Sequence, residues 1–316
     1  MQILLIGAGA VGQVYGRHLA AAGHAVSFFV KPAHRAALQD GMPLHRLGHL
    51  RKRSEVWQGY QLITELDEVA ARAWDQIWIC TSSDALRSPL MHDILARVGK
   101  ATVVCLQPGP EDAALVREQL ADAAQLVQGL ITFISYQSPL PGKADPAGIA
   151  FYLPPLAPAL FSGDDKARVA SAVQALREGG MSARAVKDLH AAAGGADGLL
   201  IPLVAALELH DWKFSGFVSS EAFALGRDAA QETLTILARE QGARVGATRA
   251  VLNPLLSRSL LLVAPYAVPL PLEDYLHYHF SKVGVQTRQM LESYAAIGER
   301  HGLPVIRLRE LRRRLS

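Results

Sequence analysis

Gln2-Ile-Leu-Leu-Ile-Gly-Ala-Gly-Ala-Val-Gly12 decides the fold of this chain. Gln2 to Ile6 is almost wholly aliphatic, the pattern of a parallel strand covered on both faces. Glycines follow at Gly7, Gly9 and Gly12. Gly7 suits a tight turn, Gly9 lets the backbone approach a pyrophosphate, and Gly12 lets a helix pack closely on the strand. The amides of the helix's first turn, through Ala10 and Val11, would then face the phosphates. The surroundings are those the mechanism needs: Gln13 to Ala22 continues at helical spacing, Gly23 supplies a stop, and Ala25 to Val30 forms a second strand. The reading is a dinucleotide-binding βαβ unit, with Gly7, Gly9, Ala10, Val11 and Gly12 as its phosphate loop.

The end of the second strand indicates which dinucleotide. An NAD site usually carries Asp or Glu about 20 residues beyond the glycines, bound to the ribose hydroxyls. No acid occurs between Met1 and Gln39, and Val30 is followed by Lys31, with His34 and Arg35 one turn later. Positive charge therefore lies where an adenosine phosphate would sit. Each charge-assisted contact contributes about 1.5 to 3 kcal/mol, so NADP is expected over NAD, with Lys31 as the discriminating residue.

Composition suits an enzyme of two domains. The chain has 316 residues, half of them apolar, with a net charge of only +3. No face of interleaved basic and aromatic residues suggests nucleic-acid binding, and Arg51, Lys52 and Arg53 read as a solvated loop or hairpin. Cys80 and Cys105, each in an apolar strand-like run, read as core thiols of a reducing compartment. The apolar start lacks a basic leader, so no signal peptide is expected. The apolar stretches Leu199 to Leu207 and Leu260 to Leu272 are too short or proline-broken to span a bilayer. A cytoplasmic protein without membrane or nucleic-acid partners is expected.

Beyond Lys31, a short helix covers Pro32 to Gln39, and Met42 to Ile63 reads as irregular, with one or two strands. Helix Leu66 to Ala73 leads to strand Gln76 to Thr81, where Ser82, Ser83 or Asp84 would cap the next helix and line a cofactor crevice. Ala101 to Gln107 repeats the pattern, making Thr81, Ser82 and Gln107 further cofactor-binding candidates. Pro108, Gly109, Pro110, Glu111 and Asp112 look like a helix start, with acids beside its positive end. Gln128 to Gln137 and Gly148 to Leu153 are strand-like, and helix Asp165 to Arg177 with strand Ser182 to Val186 completes the first domain. Helices then dominate, over Leu199 to His210, Ser219 to Leu225, Asp228 to Gln241 and Leu272 to Glu299. The expected organisation is α/β: residues 1–187 an NADP-binding doubly wound parallel sheet, residues 188–316 an all-helical substrate or dimerisation domain.

The opening Gln2 to Gly12, the basic Lys31, helix Asp228 to Gln241 with Gly242, and the ending Arg300, His301, Gly302, Leu303 and Pro304 resemble the ketopantoate reductase (2-dehydropantoate 2-reductase) family. The resemblance implies a Rossmann-type N-terminal domain, a helical C-terminal domain that pairs into a homodimer, and hydride transfer from NADPH to a small anionic 2-keto acid. It also implies a lysine on the second domain's first helix that polarises the carbonyl, and an asparagine and a glutamate that hold substrate. This chain departs from that pattern. Aligned on Pro202 and Leu203, the lysine position falls on Ala193; counting back from Gly302 puts the glutamate at Gln286 and a nearby aspartate at Arg288. The asparagine falls on Pro108 and a fourth-strand lysine on Ser83. Losing a positioned general acid costs about a hundredfold to ten-thousandfold in rate.

Two functions are therefore expected: an NADP-dependent oxidoreductase acting on a small 2-keto acid or related carbonyl, or a catalytically inactive NADP-binding sensor or interaction protein of reductase ancestry. The catalytic residues are unknown from sequence. Substitutes for the missing set are His190, His210, Asp211, Lys213, His277, His279 and Lys282, with Lys282 foremost because it lies one turn before Gln286. His277 and His279, two apart on a helix, diverge and do not suggest a metal pair. No HExxH helix or paired CxxC is present, so no metal is expected.

Overall fold

A computed structural model describes residues 1–109, 111–243, 245–282 and 284–315. The chain divides into two compact units, Met1–Pro139 with Ala144–Leu189, and Leu140–Lys143 with His190–Ser316.

The first unit runs β1 (Gln2–Ile6), α1 (Ala10–Ala21), β2 (Ala25–Phe29), α2 (Pro32–Leu38), β3 (Met42–Arg46), β4 (Arg53–Trp57), β5 (Gln61–Ile63), α3 (Leu66–Ala70), β6 (Gln76–Ile79), α4 (Pro89–Leu95), β7 (Thr102–Cys105), α5 (Asp112–Glu118), β8 (Leu126–Leu130), β9 (Ile134–Ser138), β10 (Gly148–Tyr152), β11 (Ala159–Gly163), α6 (Lys166–Glu178) and β12 (Ala183–Ala185). Its main sheet has the order β12-β11-β8-β7-β6-β1-β2-β5. All neighbours are parallel except β11 against β8. This is a Rossmann-type doubly wound sheet. From β1 the chain moves outward through β2 and then crosses to β6 on β1's other side. The carboxyl ends of β1 and β6 thus meet at the topological switch point where such sheets bind ligands.

The aliphatic run of β1 is explained by cover on both faces. Ile3 and Leu5 join a core with Val14, Tyr15 and Leu19 of α1 and Val169 and Leu176 of α6. Leu4 and Ile6 face the opposite core, with Val69 of α3, Met91 and Ile94 of α4 and Val116 of α5.

Several local expectations change. Met42 to Ile63 is ordered into β3, β4 and β5, and β3 pairs in parallel with the distant β10 in a second sheet, β4-β3-β10-β9. The run Gln128 to Gln137 is two strands in different sheets, β8 and β9, with a break between them. Strand β11, unrecognised in the sequence, pairs antiparallel with β8. Ser82 to Asp84 do not cap α4: Ser83–Arg87 is a 3₁₀ turn, and Ser88 caps α4 by accepting from the Met91 amide. Pro110, part of the expected helix start, lies outside the described residues, and α5 begins at Asp112.

The second unit contains α7 (Leu189–Glu208), α8 (Glu221–Gln241), α9 (Gly246–Val251), α10 (Pro254–Ala267), α11 (Leu272–Lys282), α12 (Gly284–Arg300) and α13 (Ile306–Arg314). No strand occurs in it among the described residues. Helix α8 is continuous where the sequence suggested two helices. Gly226 explains this, because a Cβ there would lie 2.3 Å from the Ala206 Cβ and 3.1 Å from the Pro202 carbonyl oxygen. The glycine is a point of close helix crossing, not a break. Helix α7 begins ten residues earlier than the pattern suggested. By length and composition it is apolar enough to cross a membrane, although just over half of that stretch is buried in the unit. Ile201, Val204 and Leu207 pack with Leu234 and Leu237 of α8, Leu291 of α12 and Leu308 of α13.

Candidate functional site

A cavity of about 690 Å³ opens in the first unit where β1, β2 and β6 end. Its floor is the glycine loop, and each glycine there meets a different constraint. Gly7 has φ +100°, and a Cβ on it would lie 2.9 Å from the Thr81 methyl. At Gly12 a Cβ would lie 2.2 Å from the Gly7 carbonyl oxygen. Both glycines are demanded by the fold itself. Gly9 is different: it caps α1 in ordinary extended backbone, φ −75° and ψ −171°, and no atom lies within 4 Å of its Cβ position. Among the described residues no packing constraint requires glycine there, and the loop backbone stands open to the cavity. Ala10 and Val11 form the first turn of α1 behind it.

Two polar atoms beside this loop are buried without a hydrogen-bond partner among the described residues, Gln13 Oε1 and Thr81 Oγ1. Gln13 Nε2 donates to the Ala8 carbonyl at 2.8 Å and so braces the loop. Orphaned buried polar atoms are uncommon and call for a missing partner. Together with the space at Gly9, they fit a polar ligand such as a dinucleotide.

At the other end of the cavity, Phe29, Val30 and Lys31 close β2. Lys31 sits at the N-cap of α2 with Pro32 next, and its carbonyl accepts from the His34 amide at 2.9 Å. Lys31 and His34 both line the cavity, whereas Arg35 does not, and none of the residues lining it is acidic. The wall between is apolar, from Ala37 and Leu38 of α2 and Leu90, Met91 and Ile94 of α4. These apolar residues were missed in the sequence because their spacing is that of an ordinary core face. Gln13 carried no sequence signal beyond its place after Gly12.

Of the remaining expected site residues, Thr81 lines the cavity, and Ser82 precedes the 3₁₀ turn without lining it. Gln107 also lies off the cavity wall, its side chain committed elsewhere. Its Nε2 donates to the Ile79 and Thr81 carbonyls at 3.0 and 2.7 Å, and its Oε1 accepts from the Leu106 amide at 3.1 Å. Gln107 clamps the ends of β6 and β7 and positions Thr81. Ser83 is likewise committed: its hydroxyl donates to Asp112 Oδ2 at 2.7 Å, beside the Gly109 amide at 2.9 Å, with Arg87 3.4 Å from Oδ1. Asp112 is therefore a buried structural carboxylate that ties the turn after β6 to the one after β7. Burial raises the Cys80 thiol well above its usual range and Cys105 to about 11, which suits inert core thiols.

The comparisons with known proteins bear on this geometry. Residues 3–151 match the family described as ketopantoate reductase PanE/ApbA. That match spans most of the first unit and just under half of the chain. The whole-chain fold is also that of solved reductases. A 2-dehydropantoate 2-reductase from Geobacter metallireducens GS-15 is 15% identical with a TM-score of 0.71, over 100% of this chain and 99% of that one. A PanE/ApbA family ketopantoate reductase from Ralstonia eutropha JMP134 is 19% identical with a TM-score of 0.69, over 100% and 97%. A D-mandelate dehydrogenase, solved with NADH and anilino(oxo)acetate, is 15% identical with a TM-score of 0.73, over 100% and 97%. No curated protein sequence matches the chain.

In the second unit, two of the positions that the ketopantoate reductase resemblance singled out, Ala193 and Arg288, carry an inert or a committed group, whereas Gln286 is half-buried on α12. Ala193 is a buried methyl. Arg288 pairs with Glu208 at 2.6 Å and also donates to the Leu315 and Gly284 carbonyls, both at 3.0 Å. Lys282 lies over the Tyr278 ring at 3.8 Å and donates to its hydroxyl, on the surface. His210 contacts the Ser215 carbonyl, Lys213 is 3.9 Å from Glu273, and Asp211 sits in left-handed backbone. His277 stacks on Trp212, and His279 on Tyr275, where burial and then Lys282 lower its pKa. His190 is exposed. Among the described residues, no group of three or more His, Cys, Asp or Glu is placed to hold a metal ion.

One titratable residue was overlooked in the sequence. Asp197 lies one turn beyond Ala193 on the same side of α7, largely buried, and desolvation raises its carboxyl to about 6. The available signal was an acid alone within the apolar interior of a helix.

Proposed function

We propose that this protein is an NADP-dependent reductase that delivers a hydride to the carbonyl of a small 2-keto acid or a related compound. The observation that carries the reading is the cavity at the switch point: spare room at Gly9, orphaned polar atoms on Gln13 and Thr81, and Lys31 and His34 on a wall without acids. An NAD-type site needs a carboxylate for the ribose diol. A cationic wall instead suits the added phosphate of NADP.

In this reading, Gly7, Gly9, Ala10, Val11 and Gly12 present backbone amides to the pyrophosphate, and Lys31 binds the adenosine phosphate. Leu90, Met91 and Ile94 hold the adenine, and Thr81 lines the cavity with its hydroxyl. Gln107 and Ser82 act by fixing the loop that carries Thr81. Residues 1–187 serve the cofactor and residues 188–316 the substrate. NADPH supplies the hydride; the carbonyl oxygen must then gain one proton from the protein or solvent.

A specific observation favours a second reading, an NADP-binding sensor without turnover. Ala193 cannot donate a proton, Pro108 has no side-chain donor, and Ser83 and Arg288 are already bound to Asp112 and Glu208. NADPH binding and oxidation by the purified chain, with ketopantoate and a panel of 2-keto acids, separates the two. Substrate-dependent oxidation is the expected outcome. Saturable binding without oxidation on any substrate supports the sensor, and failure to bind either nicotinamide cofactor overturns both.

A further inference from the structure

We infer that the outward face of α10 pairs with the same face of a second copy of this chain, joining two copies through their helical units. The face is an exposed apolar stripe: Leu255, Leu256, Leu260, Val263 and Tyr266 are 79, 42, 45, 58 and 79% exposed. At about 100° per residue all five fall within one arc of about 140°, which also takes in Ser259 and Ala267. The packed face lies opposite. There Ser257 is buried, its hydroxyl donating to the Val251 carbonyl, and Leu261 lies against the core of the unit. Helix α10 is thus apolar on both sides, the pattern of a helix covered all round, and the unit covers one side.

Size and charge decide the occupant. Weighted by their exposure, five side chains of this size present roughly 500 Å² in all, whereas monomers rarely leave contiguous apolar patches beyond a few hundred Å². Face to face, two such stripes would withdraw about 1,000 Å² from water, about what a specific association requires. The arc contains no charged residue. Arg258, the one charge on α10, falls outside it by the helical period, and no other follows before Glu273. An uncharged stripe set against itself brings no like charges together, which suits an isologous contact, where one patch serves both copies.

A lipid surface is the poorer occupant. Helix α10 has 14 residues, so it is about 21 Å long, short of the roughly 30 Å apolar core of a bilayer. A helix that lies on a membrane carries a strongly charged, Lys- and Arg-rich polar face, and a single arginine does not make one.

The test is sedimentation velocity of the full chain from about 1 to about 100 μM, beside Leu260→Glu, Val263→Lys, Leu260→Met and Leu50→Glu. The wild type is expected to pass from monomer to dimer within that range. Leu260→Glu and Val263→Lys each place two like charges in the contact and should raise the dissociation constant at least about a hundredfold. In dilute solution, where all are monomers, they should melt at the wild-type temperature, because both positions face solvent. Leu260→Met keeps the stripe apolar, and Leu50→Glu changes an exposed leucine of the other unit, so both should dimerise as the wild type does. Flotation with vesicles of neutral and of anionic lipid tests the other occupant. A monomer at every concentration, a dimer that both charged variants leave intact, or a wild type that floats with vesicles without self-associating would each overturn the inference. None of these results touches the dinucleotide reading.

Discussion

Asp197→Asn should stabilise the protein at neutral and alkaline pH and leave it unchanged in acid. Desolvation on α7 raises this carboxyl from 3.8 to about 6 in the folded chain. Each pKa unit corresponds to about 1.4 kcal/mol between the two protonation states, so the ionised carboxylate costs the fold up to about 3 kcal/mol. The sign follows from linkage. Between the unfolded and folded pKa values the native state holds the proton more tightly, so stability falls as pH rises through that interval. Below it the acid is neutral in both states, and the cost disappears. Asparagine is neutral throughout and close in shape. The assay is urea unfolding of wild type and variant from about pH 4 to about pH 8, read as a difference so that other titrations cancel. The variant's advantage should grow from near zero to about 3 kcal/mol and level off above the folded pKa. A difference that is constant across the range, or that favours the wild type at high pH, would refute the desolvation argument and indicate a cationic or donor partner for the carboxylate.

The glycine loop yields a paired expectation. Gly9→Ala meets no protein atom and should leave the melting temperature unchanged while weakening NADPH binding tenfold or more, roughly, by blocking the backbone's approach. Gly12→Ala forces a Cβ against the Gly7 carbonyl and should destabilise the fold by about 1 to 3 kcal/mol in thermal unfolding. Lys31→Glu should reduce NADPH affinity at least about tenfold and NADH affinity far less, measured by fluorescence titration. Equal losses for both would remove Lys31 from cofactor choice. Asp112→Ala strands the donors of Ser83, Gly109 and Arg87 and should cost about 3 kcal/mol in urea unfolding; a loss below about 1 kcal/mol would mean those donors find other partners.

The βαβ unit was legible because each of its requirements is local. A buried strand needs an aliphatic run, a turn at φ +100° needs Gly7, and close packing needs Gly12, all within eleven residues. The second sheet was not legible because its central pairing joins Leu44 to Ile149, and no local pattern records a partner a hundred residues away. Glycine misled where it serves packing instead of punctuation. Gly194 and Gly198 sit inside α7 because side chains there would collide with Ala243 and Leu234, and Gly226 stands in α8 where it meets α7. The helices expected from the sequence started at Leu199, after both α7 glycines, and stopped at Leu225 and resumed at Asp228, on either side of Gly226. The site divides along the same line. Its cation, Lys31, stands at a position defined by the end of β2, so counting from the glycines finds it. Its apolar wall is built from α2 and α4, where Leu90, Met91 and Ile94 have the spacing of any core-facing helix. Catalysis was the least legible part because a proton donor is defined by where its atom lies, not by a backbone constraint, and a donor can move to a neighbouring turn without disturbing the fold. A pH–rate profile of Asp197→Asn, beside its stability profile, would separate a group that merely tolerates burial from one that delivers a proton. A structural role moves only the unfolding curve, whereas a donor's loss removes the alkaline fall in kcat.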